Sequence, residues 1–376
     1  MAKPLRTLTK KIAIGLNILI ALLFLVGESV RFFNPSHWWF FGLLTFALPF
    51  FLLILIFFAL FWLFAKPFWS GISILTILAG WPAIINIFAI NLSSNFHIAK
   101  EPENIRVMSW NIEQLNIQHY KDKPWIKEQM LDLINYYDPD IACFQEAVLG
   151  EKKKSVNYLP VITKKLKFSD YFYSYAISDD FDSYHHFGII IFSKFPVITK
   201  QAFINYPNDY NSTFQYVDVI TASDTIRIFN IHLQSLKFSK ENLSYLDKAG
   251  LKSDSNITES KNIISKLKTG FIKRSVQADF IKDEIEQSPY PVIVCGDFND
   301  VPNSYAYEII RDGLQDAFVK KGMGISRTFS SISPTLRIDN IFADKRFSVT
   351  QFVRVKKLLS DHFPIIADLK SKLKIK

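Results

Sequence analysis

Residues 291–300 read PVIVCGDFND, and the reading of this stretch decides the fold. Val292 to Cys295 is a short unbroken apolar run that ends at Gly296, and such runs bounded by turn residues mark buried strands. Directly after it stand a carboxylate, Asp297, and an amide, Asn299. A rigid strand that ends in polar side chains is where a fold builds a site.

The same pattern recurs on both sides. Upstream, IRVMSWNI (105–112) ends near Asn111, IACFQEA (141–147) contains Glu146, FGIIIFS spans 187–193, and TIRIFNIHLQ (225–234) contains His232. Downstream, RIDNIFA (337–343) carries Asp339, and Asp361-His362 precede PIIADL (364–369). Between the first two strands, Ile126, Met130, Leu133, Ile134 and Tyr137 recur at helical spacing. Residues 239–288 read as largely helical after an exposed Ser/Asn/Lys-rich start. Many strands with interspersed helices over this length imply one α/β domain with a large two-sheet core.

Taken singly, an acid or amide at a strand end is a turn former or a helix cap. Taken together, three kinds of group recur at strand ends, and phosphoester chemistry needs all three. Hard oxygen ligands such as Glu146 and Asp361 suit Mg²⁺, which binds through one or two carboxylates plus substrate phosphate. Asp297 is placed to orient or deprotonate a water. Asn111, His232, Asn299 and His362 supply donors to phosphate oxygens, and a carboxylate such as Asp339 would keep His362 protonated and aligned.

The first hundred residues are of a different kind. Of the 376 residues, those from Ile12 to Leu92 include only Glu28, Arg31 and Lys66 as charges. Three apolar runs, about 12–30, 40–64 and 68–92, are long enough to cross a bilayer, which takes about 20 residues. The third is interrupted at Gly80-Trp81-Pro82, where a kink is expected. A cleavable signal peptide is the alternative for the first run, but two more runs follow it. Lys3, Arg6, Lys10 and Lys11 precede the first run, so the N-terminus is expected in the cytoplasm and the region after three crossings outside it; a re-entrant third segment would reverse that. The +9 formal charge is partly concentrated in residues 1–99, which hold six bases and one acid. The rest is only mildly basic, which permits a phosphorylated substrate without singling out nucleic acid.

The segments WNIEQLN, CFQEA, FGIIIFSKFPV, NIHLQS, VIVCGDFND, LRIDNIF and SDHFPI, in that order, resemble the endonuclease/exonuclease/phosphatase superfamily over roughly Ile105 to Leu369. The apolar helices resemble those of membrane-anchored bacterial members. The resemblance implies a four-layer, DNase-I-like α/β fold: a two-sheet β-sandwich flanked by helices, here preceded by three transmembrane helices. It implies that Asn111 helps position the metal and nucleophile, that Glu146 binds the metal, and that His232 contacts phosphate. Asp297 and Asn299 match a pair associated with water activation and phosphate orientation. Asp339 pairs with the final histidine, and Asp361-His362 supply a possible metal ligand and a phosphate-stabilising group. The residue that orients His232 is left open among Asp182, His185 and His186.

Other signals carry less. Cys143 and Cys295 read as small buried hydrophobes. Gly322-Met323-Gly324 lacks a third glycine for nucleotide binding. Lys152–Lys154 read as a solvated loop, and Arg274 as a surface residue or one near the phosphate-binding face. The expected organisation is an anchor over 1–98, a linker over 99–104 within the polar stretch 93–104, and a phosphoesterase domain over 105–376. The expected protein is a Mg²⁺- or Mn²⁺-dependent hydrolase in the bacterial inner membrane with its catalytic domain periplasmic. Its substrate is expected to be nucleic acid, as for a nuclease; the alternatives are a phospholipid or sphingolipid head group, or an inositol-phosphate-type ester. A non-catalytic, membrane-tethered binding domain is the rival from another class.

Overall fold

The computed structural model describes residues 2–92, 95–119, 122–150, 158–175, 185–204, 213–236, 238, 242 and 255–372. Two six-stranded sheets lie face to face. The first comprises β1 (Asn104–Asn111), β2 (Ile141–Gly150), β3 (Asp170–Tyr175), β4 (His185–Ser193), β11 (Phe347–Arg354) and β12 (Ile365–Ser371), in the order β11-β12-β1-β2-β4-β3. The second comprises β5 (Val197–Ile204), β6 (Thr213–Ile220), β7 (Thr225–His232), β8 (Val292–Asp297), β9 (Leu314–Asp316) and β10 (Asp339–Asp344), in the order β5-β6-β7-β8-β10-β9. Each sheet holds a central parallel pair, β1 with β2 and β7 with β8, flanked by antiparallel neighbours.

Alternation along the strands sorts side chains into layers. Val107, Cys143, Ile191, Ile228, Cys295 and Ile341 point between the sheets. Met108 and Phe144 point outward from the first sheet onto α6 (Pro124–Tyr137), meeting Met130, Leu133 and Ile134. Phe229 and Val294 point outward from the second sheet onto Ala278 and Ile281 of a long helix, Ser255–Glu286. The result is the expected four-layer, DNase-I-like sandwich. Both cysteines are free and buried, as their apolar strands imply.

A polar cross-tie joins the two sheets at the site end. Gln145 Nε2 donates to Asn230 Oδ1 at 2.7 Å, and Asn230 Nδ2 donates to the carbonyls of Phe144 and Ile190. Buried amide hydrogen bonds that cross from one sheet to the other help fix their relative register.

The apolar N-terminal part folds as α1 (Ala2–Glu28), α2 (Pro35–Trp38), α3 (Gly42–Ala65), α4 (Ser70–Ala79) and α5 (Trp81–Ile87). Among the described residues, Pro4–Phe32 and Pro35–Ala65 are each long and apolar enough to cross a membrane. The third apolar run is bent by 66° between Pro67–Ala79 and Trp81–Ile87, at the expected Gly80-Trp81-Pro82 interruption. Its helix ends at Ile87; Ala89 then pairs with Gly324, and Asn91 Nδ2 donates to the carbonyls of Val319 and Gly322. The Gly322-Met323-Gly324 stretch therefore receives the chain as it leaves the helices.

Further contacts hold the helices to the sandwich. Asn86 Nδ2 donates to Asn303 Oδ1 at 2.8 Å and Glu308 Oε1 at 3.0 Å, and the Asn86 carbonyl accepts from Arg337 Nη2 at 2.9 Å. Asn303 in turn donates to the Ala83 carbonyl, and Asn34 donates to the Tyr305 hydroxyl. Lys268 sits 5.6 Å over the Trp39 ring, and the Phe271 ring lies 5.9 Å from that of Phe46.

Candidate active site

Three neighbouring strands of the second sheet place three site residues in one row. In the ladder, His232 on β7 is opposite Asp297 on β8, and Asp297 is opposite Asp339 on β10. Gly296 makes this possible: its φ of +148°, together with an Ile231 carbonyl 2.0 Å from where a Cβ would stand, admits no side chain. From the first sheet come Asn111 at the end of β1 and Glu146 on β2. Glu146 sits where the β2–β4 register slips between Phe144 and Ala147 and has φ 52°, so a bulge turns its carboxylate into the site.

Asp297 Oδ2 is the hub. Asn111 Nδ2 donates to it at 3.1 Å, His362 Nε2 lies 3.7 Å away, and His232 Nε2 lies 3.9 Å away. Asn111 Nδ2 also donates to Glu146 Oε1 at 3.1 Å, and His232 Nε2 is 3.8 Å from the same oxygen. The structure thus brings Asn111, Glu146, His232, Asp297, Asp339 and His362 into one cleft.

Asn299 takes a bracing position: its backbone N–H donates to Asp297 Oδ1 at 2.8 Å, and its side chain donates to the Leu233 carbonyl at 3.0 Å. Its φ of 51° belongs to the left-handed region that asparagine tolerates. Asp361 flanks the cleft, with its carboxylate 3.3 Å from Ser360 Oγ. Trp110 Nε1 donates to the His362 carbonyl and anchors the SDH turn from below.

Electrostatics separate the roles. Burial pushes the Glu146 carboxyl up to about 7; the Asn111 hydrogen bond opposes this and the Asp361 charge adds to it. Burial likewise raises Asp297, against the attraction of His362. For His362, burial disfavours the imidazolium, but the charges of Asp339 and Asp297 outweigh it and hold its pKa well above the ordinary histidine range. Its Nδ1 is 2.9 Å from Asp339 Oδ2. Asp297, Asp339 and His362 each offer a ligand atom within 4.8 Å of the others, but a protonated imidazole tied to a carboxylate is an acid, and metal ligands must be deprotonated. Glu146 brings a further carboxylate to the site, and the Asp361 charge adds to its raised pKa. Asp339 Oδ1, buried with no hydrogen-bond partner among the described residues, is an unsatisfied acceptor.

Two residues differ from their reading in the sequence or escaped it. Arg274 is neither on the surface nor turned toward phosphate: it is fully buried, with Nε 3.0 Å from Asp300 Oδ2 and Nη1 donating to the Gln234 carbonyl. Glu113, in the quoted WNIEQLN motif, was not singled out. Its Oε2 accepts from the Asp361 N–H at 3.0 Å, its own N–H donates to Asn111 Oδ1, and burial followed by the Asp361 charge raises its pKa. It links the first motif to the last. Of the candidates for orienting His232, His186 stacks on Tyr175 at 4.2 Å, His185 pairs with Gly150, and Asp182 lies outside the described residues, as do Lys152–Lys154.

Residues 108–362 match the family model described as Endonuclease/Exonuclease/phosphatase family. The chain belongs to this family. Residues 10–87 match a second model, described only as a domain of unknown function. A comparison with curated proteins gives no match. Solved structures share the fold of this family member at low identity. One is an endonuclease/exonuclease/phosphatase family protein from Bacteroides thetaiotaomicron (18% identity, 72% of this chain and 98% of that one, TM-score 0.49). Another is a humanized D. rerio TDP2 (16%, 72% and 100%, 0.49). A third is a mannosyl-6-phosphatase from B. thetaiotaomicron (17%, 70% and 99%, 0.47). Members of the family are phosphoesterase hydrolases that in general use divalent metal ions, and the site of this member carries groups suited to both.

Proposed function

We propose that this family member is a membrane-anchored phosphoesterase that hydrolyses phosphodiester bonds with Mg²⁺ or Mn²⁺. The observation that carries the reading is the hub at Asp297 Oδ2, where one buried carboxylate oxygen faces Asn111, His362 and His232 within 3.1–3.9 Å. Glu146 and Asp361, with Asn111 beside them, would hold the cation, since hard oxygen donors with surplus negative charge suit these ions. When bound there, the ion would draw charge from a phosphoryl oxygen and from the departing oxygen.

The chain's own groups do the rest. Asp297, its pKa raised by burial, accepts a proton from water as the water oxygen bonds to phosphorus; the phosphorus–oxygen bond to the leaving group breaks, that oxygen takes up a proton from solvent, and Asp297 returns its proton to solvent. The His362 imidazolium, aligned by Asp339, donates to a non-bridging oxygen and meets the growing charge. His232 faces the same phosphate position, and Asn299 keeps Asp297 aimed.

The membrane reading rests on the apolar helices and on which end meets the sandwich. Lys10 lies 5.8 Å over the Trp69 ring, so the start of α1 and the α3–α4 junction share one end, where Lys3, Arg6, Lys11 and Lys66 also belong. Asn34 and Trp39, at the other end, touch the catalytic domain. Under the positive-inside tendency the basic end is cytoplasmic and the catalytic domain faces the periplasm of a bacterial cell.

The test is turnover of bis(4-nitrophenyl) phosphate by the purified full chain. Hydrolysis that needs Mg²⁺ or Mn²⁺ and stops with EDTA supports the reading. No hydrolysis with either ion sinks it and favours the non-catalytic binding domain.

A further inference from the structure

We propose that the phosphodiester reaching this site is a lipid head group in the same bilayer that holds the chain; the proposal rests on the phosphoesterase reading above. Two strand-end loops that carry site residues touch the apolar helices, and a third is linked to them through the long helix Ser255–Glu286. After Asp297 and Asn299, Val301 and Pro302 line a narrow cleft whose other wall is Thr45, Phe46 and Pro49 of α3. The loop before Asp339 lines the same cleft at Ile325, Thr335 and Arg337. That loop also reaches the site, because the Thr328 hydroxyl accepts from the Asp339 N–H and the Phe329 ring lies 5.1 Å from that of His362. After His232, the Gln234 carbonyl is held by Arg274, whose guanidinium lies 5.3 Å from the ring of Phe271, and Phe271 rests on Phe46.

Depth follows from helix geometry. Pro49 is seven residues into α3 from Gly42, a rise of about 10 Å at ~1.5 Å per residue. The loop leaving Asn299 therefore packs beside the first turns of α3, at the end of the apolar helices that meets the catalytic domain. Asn86 clamps this arrangement through Asn303, Glu308 and the Arg337 guanidinium, all buried or nearly so. A phosphate that enters along this edge comes from the membrane surface.

Arg274 of the long helix and Arg337 of the loop before Asp339, both buried guanidiniums, are neutralised by Asp300 and Asp316. Neither is available for the backbone phosphates of a nucleic acid, whose binding depends on unpaired basic groups.

The test reconstitutes the full chain with Mn²⁺ in vesicles of phosphatidylethanolamine and phosphatidylglycerol, and reads release of water-soluble phosphate compounds. Four substrates are compared: lipid in the same vesicles, the same lipid in separate protein-free vesicles, plasmid and single-stranded DNA, and bis(4-nitrophenyl) phosphate. Sharing a bilayer raises effective concentration, so same-vesicle lipid should turn over about 10²-fold faster than separate-vesicle lipid, and faster than either DNA. If the soluble ester is hydrolysed but DNA outpaces same-vesicle lipid, or the two lipid arms are equal, the lipid proposal is overturned and the phosphoesterase reading stands. Inactivity in every arm, the soluble ester included, overturns both.

Discussion

Asp339 Oδ2 lies 2.9 Å from His362 Nδ1, while His362 Nε2 faces Asp297 Oδ2 at 3.7 Å, so one imidazole is held between two buried carboxylates. One carboxylate fixes the ring, and the ring presents its other N–H to the reaction. A histidine in this position works as a permanent donor rather than as a group that titrates near neutrality.

Asp339→Asn removes the charge that sustains the imidazolium while keeping the shape. Activity should fall by about 10²- to 10⁴-fold, the usual worth of a positioned acid or base. The high-pH limb of the rate profile should also move down, because His362 then loses its proton at lower pH. An unchanged alkaline limb would remove Asp339 from the role assigned to it.

Glu146 and a divalent cation compete with protons. With its carboxyl raised to about 7 by burial, Glu146 is largely protonated at pH 6 and largely ionised at pH 8, so Mn²⁺ should bind about tenfold more tightly at the higher pH. Titration calorimetry at the two pH values checks this. Glu146→Gln should weaken binding and flatten the dependence; a wild-type affinity that ignores pH would place the ion elsewhere.

Gly296→Ala should destabilise the fold by about 3 kcal/mol or more, since the new Cβ meets the Ile231 carbonyl and the backbone angle suits only glycine. Thermal unfolding of the purified variant measures this. A melting temperature equal to wild type would show that β7 and β8 can separate at the site without penalty.

Asn86→Leu should lower the melting temperature of the whole chain, because Asn303 and Glu308 lose a buried partner at about 1–3 kcal/mol. The apolar helices and the sandwich should still unfold in one transition. Two transitions, with the later one at the wild-type temperature, would show that the two parts are independent.

The strand ends were legible because buried strands are short apolar runs, and a carboxylate or histidine at their end stands out against that background. The strand reading marked Asp297, Asp339 and His232, but not that β7, β8 and β10 lie side by side and set them in one row. Glu113 was not legible: it follows Asn111 in a left-handed turn, and its role depends on Asp361, far away in sequence. Arg274 misled for the same reason, since helical periodicity shows a face but not that Asp300 neutralises the charge there. Asn86 was not singled out, because its partners, Asn303, Glu308 and Arg337, lie far away in sequence, in the family domain. Local pattern reports secondary structure and burial; contacts between distant loops are set by how the layers pack.

The most direct measurement is phosphodiester turnover by the full-length protein with Mg²⁺ or Mn²⁺, compared with Asp297→Asn and His362→Ala at matched folding. The account predicts metal-dependent hydrolysis that drops by about 10²- to 10⁴-fold in each variant. Hydrolysis that persists undiminished in both would contradict it, because the hub at Asp297 would then not be the place where the bond is broken.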